Sequence, residues 1–276
     1  MAGQVERAEG GAAPRLRPPR DICRKARWSG AVVAAVLAGA AGAQDGRVST
    51  YEQMAPELRA MQDDDFSNPG LLWAQTGEEL WAEPSGADEV ACAECHGAAE
   101  EMAGVAAHYP DWDEESGQAV DLAARINLCR QRHQGAEPLE RGSEALLALT
   151  TLVALQSRGQ PIAPSEAPQM EAVRGQGEAL YSTRMGQLNL ACATCHDDLA
   201  GGRLLAAEIP QAHPTGYPQY RLEWQEMGDL DRRLRNCMVG VRAEPFAAGS
   251  QEFVALEAYL KARAVGMEME APAIRP

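Results

Sequence analysis

An all-α fold in two tandem halves is what the sequence predicts. Three observations carry this reading. A five-residue cysteine–histidine motif occurs twice, matched residues surround both copies at constant offsets, and Ala-, Leu- and Glu-rich segments place apolar residues at i, i+3 and i+4. The 276 residues are enough for two small domains of roughly 100 residues, each with its own core.

The first element, residues 1–43, reads as a targeting segment. A basic stretch (Arg15, Arg17, Arg20, Arg24, Lys25, Arg27) precedes an apolar run from Ala31 to Leu37. Small residues follow, and Ala41-Gly42-Ala43 is an A-x-A cleavage site. The apolar run is shorter than the ~20 residues that span a bilayer, so the reading is export with no stable membrane insertion after cleavage. A membrane anchor is the competing reading. No Arg-Arg pair is present within residues 1–43, which favours the general route over the twin-arginine one.

The whole chain has 25 basic and 40 acidic residues, net −15. The segment takes seven basic and three acidic residues, a net of +4, which leaves the remainder at −19. Such a surface disfavours nucleic acid and suits a basic partner protein.

Of seven cysteines, Cys23 leaves with the segment. The remaining six could suggest three disulfides in an exported protein, but their spacing points elsewhere. Cys92-Ala93-Glu94-Cys95-His96 and Cys192-Ala193-Thr194-Cys195-His196 are both C-x-x-C-H, the attachment signature of c-type haem. Two thiols one helical turn apart can form thioethers to the two vinyl groups of one porphyrin. The next residue, His96 or His196, then lies under the iron as an axial ligand. A redox dithiol or half of a zinc site would each need the histidine by coincidence, twice. Two covalent haems follow, and two cytochrome c-like domains.

The repeat extends beyond the motifs. Gly77-Glu78-Glu79-Leu80-Trp81 matches Gly177-Glu178-Ala179-Leu180-Tyr181, each 15 residues before the first haem cysteine, at an offset of 100. Tyr109-Pro110 matches Tyr217-Pro218 and Cys129 matches Cys237, at an offset of 108. The second half therefore carries eight extra residues around 201–216. In each half an N-terminal helix (about 70–82 and 171–184) is expected to cross a C-terminal one (about 143–157 and 250–263), with a further helix before each lone cysteine (about 118–131 and 221–236). Strand signals are sparse. The expected organisation is an extension over 44–69, domain 1 over 70–158, a Pro-rich linker over 159–170, domain 2 over 171–266 and a tail over 267–276. The extension and the tail read as loose or as wrapping a partner.

An electron-carrying cytochrome c fills its second axial position with Met or His. Here Met102 lies too close to its motif, Met227 and Met238 have no counterpart in the first half, and His133 and His213 do not match each other. The lone cysteines do match. Both lie 20 residues after the paired Tyr-Pro, and each has an arginine four residues earlier, Arg125 and Arg233. On a helix that arginine covers the same face and favours the thiolate, the form that binds iron. His96 with Cys129 and His196 with Cys237 are therefore the expected axial pairs. A disulfide between the two lone cysteines, or two inert buried thiols, are the competing readings.

With two C-x-x-C-H motifs each followed by a matched lone cysteine, the chain resembles the SoxA dihaem cytochromes of periplasmic sulfur oxidation, from about Gly70 to Gly266. The run Tyr217-Pro218 … Arg233 … Cys237 is the most specific part. The resemblance implies a periplasmic enzyme, an L-cysteine S-thiosulfotransferase, paired with a small monohaem SoxX-like cytochrome. It joins thiosulfate to a cysteine of a SoxYZ-like carrier and passes two electrons to cytochrome c acceptors. It also implies that Cys237 ligates the active-site haem and is carried as a persulfide, and that Arg233 holds the anionic substrate. A non-enzymatic dihaem electron carrier and a dihaem peroxidase are the alternatives.

Overall fold

The computed structural model describes residues 46–205 and 207–276, so the expected targeting segment lies outside the described residues. The first half runs α1 (Pro56–Asp63), α2 (Gly70–Ala82), α3 (Cys92–His96), α4 (Val105–His108), β1 (Asp111–Asp113), β2 (Gln118–Val120), α5 (Leu122–Cys129) and α6 (Glu144–Leu155). The second runs α7 (Gln169–Ser182), α8 (Cys192–His196), β3 (Arg203–Leu204), β4 (Ala207–Glu208), β5 (Gln219–Arg221), β6 (Glu226–Gly228), α9 (Leu230–Gly240), α10 (Gln251–Arg263) and β7 (Ala273–Arg275). Helices dominate, and the short hairpins depart from the all-α expectation. Among the described residues no helix is long and apolar enough to cross a membrane.

Each half is organised on one helix crossing, α2 against α6 and α7 against α10. The matched glycines Gly77 and Gly177 explain how close these crossings are. A Cβ on Gly77 would lie 2.4 Å from the carbonyl oxygen of Ala148, and one on Gly177 would lie 2.0 Å from that of Ala255. Only a residue without a side chain lets the two backbones meet there. Leu149, Leu152 and Val153 of α6 build the core of the first half with Trp81, and Phe253, Leu256 and Leu260 of α10 build that of the second with Tyr181.

The helices leading to the lone cysteines start later than the apolar periodicity predicts. Residues 118–120 and 226–228 are strands, closing the antiparallel hairpins β1–β2 and β5–β6. Asp121 and Asp229 stop the strands and cap the helices, each accepting a hydrogen bond from the backbone N–H three residues on (2.8 and 2.9 Å). Hairpins this short were hidden because strand alternation needs more residues than these three-residue strands offer.

The ends of the described chain are packed rather than loose. β7 pairs in parallel with β5, with Gln219 opposite Ala273 and Arg221 opposite Arg275. Arg275 is buried and donates to Gln62 of α1 (2.7 Å). Residues 159–162 of the Pro-rich stretch hydrogen-bond through their backbone to residues 266–269. Between the halves, Arg141 pairs with Asp121 of the first and approaches Asp229 and Asp231 of the second (both 3.5 Å).

Candidate haem and substrate site

Each C-x-x-C-H motif is a five-residue helix, α3 or α8, with no cysteine joined in a disulfide. Backbone N–H groups at the N-cap donate to the third helical residue, Ala91 to Glu94 (2.9 Å) and Ala191 to Thr194 (3.2 Å). That contact fixes the turn that spaces the two thiols. The aromatic residue of the preceding helix fastens the motif from behind. Trp81 Nε1 donates to the Gly97 carbonyl (3.0 Å), and the Tyr181 hydroxyl donates to Asp197 (2.9 Å).

In the second half the parts converge. His196 Nδ1 lies 2.7 Å from the Pro210 carbonyl, a contact that orients the ring. Cys237, from the last turn of α9, lies within hydrogen-bonding reach of His196. Burial pushes the Cys237 thiol up, but the His196 contact and the charges of Arg233 and Arg221 outweigh it, and the net shift is downward. Cys192 shows the opposite balance: burial, with the Cys237 charge adding, pushes its thiol up to about 11. The facing sulfur is thus favoured as a thiolate, the form that binds metal.

A cavity of about 390 Å³ opens beside Cys192, Cys195, His196 and Cys237, walled by apolar Leu190, Ile209, Leu234, Met238 and Leu256. Two thiols, an oriented imidazole, a facing thiolate and apolar walls are the donor set and lining that a covalent haem requires. The residues fit the group. A second cavity of about 460 Å³ adjoins it, sharing His196, Arg233 and Cys237 and lined further by Tyr217 and Arg221. Arg233 stands one helical turn before Cys237 on α9, on the expected face.

In the first half, His96 packs against Trp81 (ring centroids 5.6 Å), and burial lowers its pKa. Cys92 accepts a long hydrogen bond from Gln134 (3.7 Å) and shares a core cluster with Ile126 of α5, the helix that ends on Cys129. Arg125 donates to the buried carboxylate of Asp113 (2.7 Å), so it is committed to an internal ion pair in a way Arg233 is not. Of the methionines and histidines weighed as ligands, Met227 is buried, Met238 is buried and lines the cavity beside Cys237, Met102 lies against the first core, and His213 Nδ1 approaches the Val48 carbonyl (3.2 Å). Arg221 was not singled out from the sequence.

These features define a c-type cytochrome. The chain belongs to the SoxA/TsdA cytochrome c family, whose cytochrome c domain model matches residues 76–162 and again 176–269. It is 37% identical to the L-cysteine S-thiosulfotransferase subunit SoxA of Pseudaminobacter salicylatoxidans over 79% of this chain and 77% of that one. Against the SoxA subunit of Paracoccus pantotrophus it is 35% identical, over 79% and 75%. The crystal structure of SoxXA from P. pantotrophus superimposes with a TM-score of 0.80 at 32% identity, over 83% of this chain and 87% of that one.

Proposed function

We propose that this chain catalyses the reaction for which its relatives are named, the oxidative joining of thiosulfate to a cysteine of a carrier protein. The observation that carries the reading is Cys237: its sulfur faces His196, sits one turn from Arg233, and opens on a cavity. The overall change, protein thiol plus thiosulfate to protein S-thiosulfonate, releases one proton and two electrons. Arg233 binds the anion through a planar set of donors. Cys237 is the reacting sulfur, carried as a persulfide, and its neighbouring cations keep it in the anionic form. When bound, the haem would take one electron at a time, so the second would have to pass on through the partner's haem to the cytochrome c acceptor.

The same reading extends to the rest of the chain. Two haems are held, one on Cys92, Cys95, His96 and Cys129 and one on Cys192, Cys195, His196 and Cys237. The halves are an internal duplication, domain 1 over 70–158 and domain 2 over 171–266, supported by the shared order of helix, motif, hairpin, capped helix and crossing helix. A SoxX-like monohaem cytochrome is the heterodimer partner, a SoxYZ-like protein the carrier, and a cytochrome c the acceptor. The protein works in the periplasm after its signal segment is removed.

Cys237→Ala tests this directly. In the reconstituted system it should abolish both thiosulfate-dependent cytochrome reduction and the mass gain on the carrier cysteine, with both haems still attached. Full activity in that variant would overturn the mechanism.

A further inference from the structure

The offset of 108 that relates Cys129 to Cys237 also relates Asp113 to Arg221. Both are the third residue of the first hairpin strand, in the same register: Asp113 pairs with Gln118 and Arg221 with Glu226. One structural position therefore carries opposite charge in the two halves.

In the first half, Asp113 is buried and closes the site. It accepts from Arg132 (2.8 Å) and Arg125 (2.7 Å), and the Arg132 hydrogen bond leads in holding its carboxyl well below the usual carboxylate range. Arg125, the counterpart of Arg233, is neutralised there. In the second half that carboxylate is missing, and a second guanidinium takes its place. The Arg221 side chain is only 14% exposed. It is held from the outside by Glu223 (2.8 Å) and by the ring of Trp224 (5.1 Å to the centroid), and it lines the cavity that also holds Arg233 and Cys237. The Glu223 carboxylate that pairs with Arg221 also acts on Arg233 from farther off, so the two guanidiniums share one carboxylate. Burial and then the Arg233 charge lower the Arg221 pKa, and Glu223 offsets this only in part. Two guanidiniums repelling each other at one half-buried cavity is an arrangement that an anion between them relieves.

We propose that Arg221 is a second substrate-binding guanidinium, which together with Arg233 matches the two negative charges of a sulfur oxyanion at Cys237. The inference rests on the thiosulfate reading and deepens it. A single cation leaves one charge of a buried dianion uncompensated, whereas a pair of guanidiniums compensates both. The first half, with Asp113 in place, is closed to anions by the same logic.

The test uses the haem-loaded chain with its small cytochrome partner. Thiosulfate and, as an unreactive dianion, sulfate are titrated by calorimetry, and carrier conjugation is followed in parallel. Arg221→Gln should weaken thiosulfate binding and raise its KM by about tenfold or more, the scale of a lost charged hydrogen bond, with a smaller change in kcat. Arg221→Asp, which recreates the first half's ion pair, should abolish binding of both dianions while the haem spectrum and melting temperature stay near wild type. Arg221→Lys, which keeps the charge without the planar fork, should fall between wild type and Arg221→Gln. If Arg221→Gln and Arg221→Asp bind thiosulfate like wild type while Arg233→Gln does not, one guanidinium suffices; Arg221 is then not part of the site, and the thiosulfate reading stands. If the wild-type complex neither binds nor conjugates thiosulfate, the thiosulfate reading itself fails.

Discussion

At the scale of single residues, the site is an exercise in setting sulfur charge. Cys192 and Cys237 sit beside one another, yet burial raises one thiol while His196, Arg233 and Arg221 lower the other. Arg233→Ala removes one of these cations and the proposed anion clamp together. It should raise the KM for thiosulfate by about tenfold or more while leaving the haem absorption spectrum nearly unchanged. Steady-state kinetics beside an absorption spectrum reads both. Unchanged kinetics would remove Arg233 from the site. The motif cysteines and histidines stood out in the sequence because their spacing falls within five residues. Cys129, Cys237 and Arg233 stood out because the repeat aligns them. Arg221 did not, because its meaning lies in a charge reversal against Asp113, and hairpin register is needed to see that the two positions correspond.

At the scale of elements, the two helix crossings hold the motif helices in place. Gly177 lets α7 sit on α10, and Tyr181, one turn further along α7, holds Asp197 just after α8. Gly177→Ala should therefore destabilise by about 1–3 kcal/mol, the usual cost of overpacking, because the new Cβ meets backbone rather than a flexible side chain. Denaturant unfolding of the haem-loaded protein checks this; a variant as stable as wild type would mean that the helices can part without loss. The crossing helices themselves were legible from their 3.6-residue periodicity. The hairpins were not, and so the helices before Cys129 and Cys237 were expected to begin several residues early. Asp121 and Asp229 are the physical boundary, since an aspartate that caps a helix also ends the strand before it.

At the scale of the whole molecule, charge is buried where the halves meet. Arg141, Asp121, Asp229, Asp231, Glu257 and Lys261 line one small cavity together with Tyr109 and Tyr217. Burial, only partly offset by Arg141, raises Asp231 from 3.8 to about 6. A carboxyl with a raised folded-state pKa binds its proton more tightly folded than unfolded, so its stabilisation is complete below the unfolded value and fades as pH rises through the folded one. Asp113 acts in the opposite sense, its carboxylate being favoured by the fold, and its stabilisation is lost on acidification below about the ordinary value of 3.8. Asp229 and Glu257, raised by burial in the same way, add to the Asp231 effect, so the melting temperature should decline from about pH 4 toward 8, and Asp231→Asn should remove only the part of the decline below about pH 6. An identical slope in the variant would place the titrating group elsewhere. The tail and the 46–62 region, which the sequence suggested were loose or wrapped a partner, pack on the second half instead: Thr50, Gln53, Met54 and Arg275 line the second cavity, and Gln62 holds β7 by accepting from the Ile274 N–H (3.0 Å).

The account stands on each half holding a haem between a histidine and a thiolate. Electron paramagnetic resonance of the oxidised, haem-loaded chain, beside its Cys129→Ala and Cys237→Ala variants, tests that most directly. Two low-spin histidine–thiolate signals are expected, each variant losing one and keeping the other. A spectrum of histidine–methionine or bis-histidine haems, indifferent to both substitutions, would make the lone cysteines structural and the chain an ordinary dihaem electron carrier.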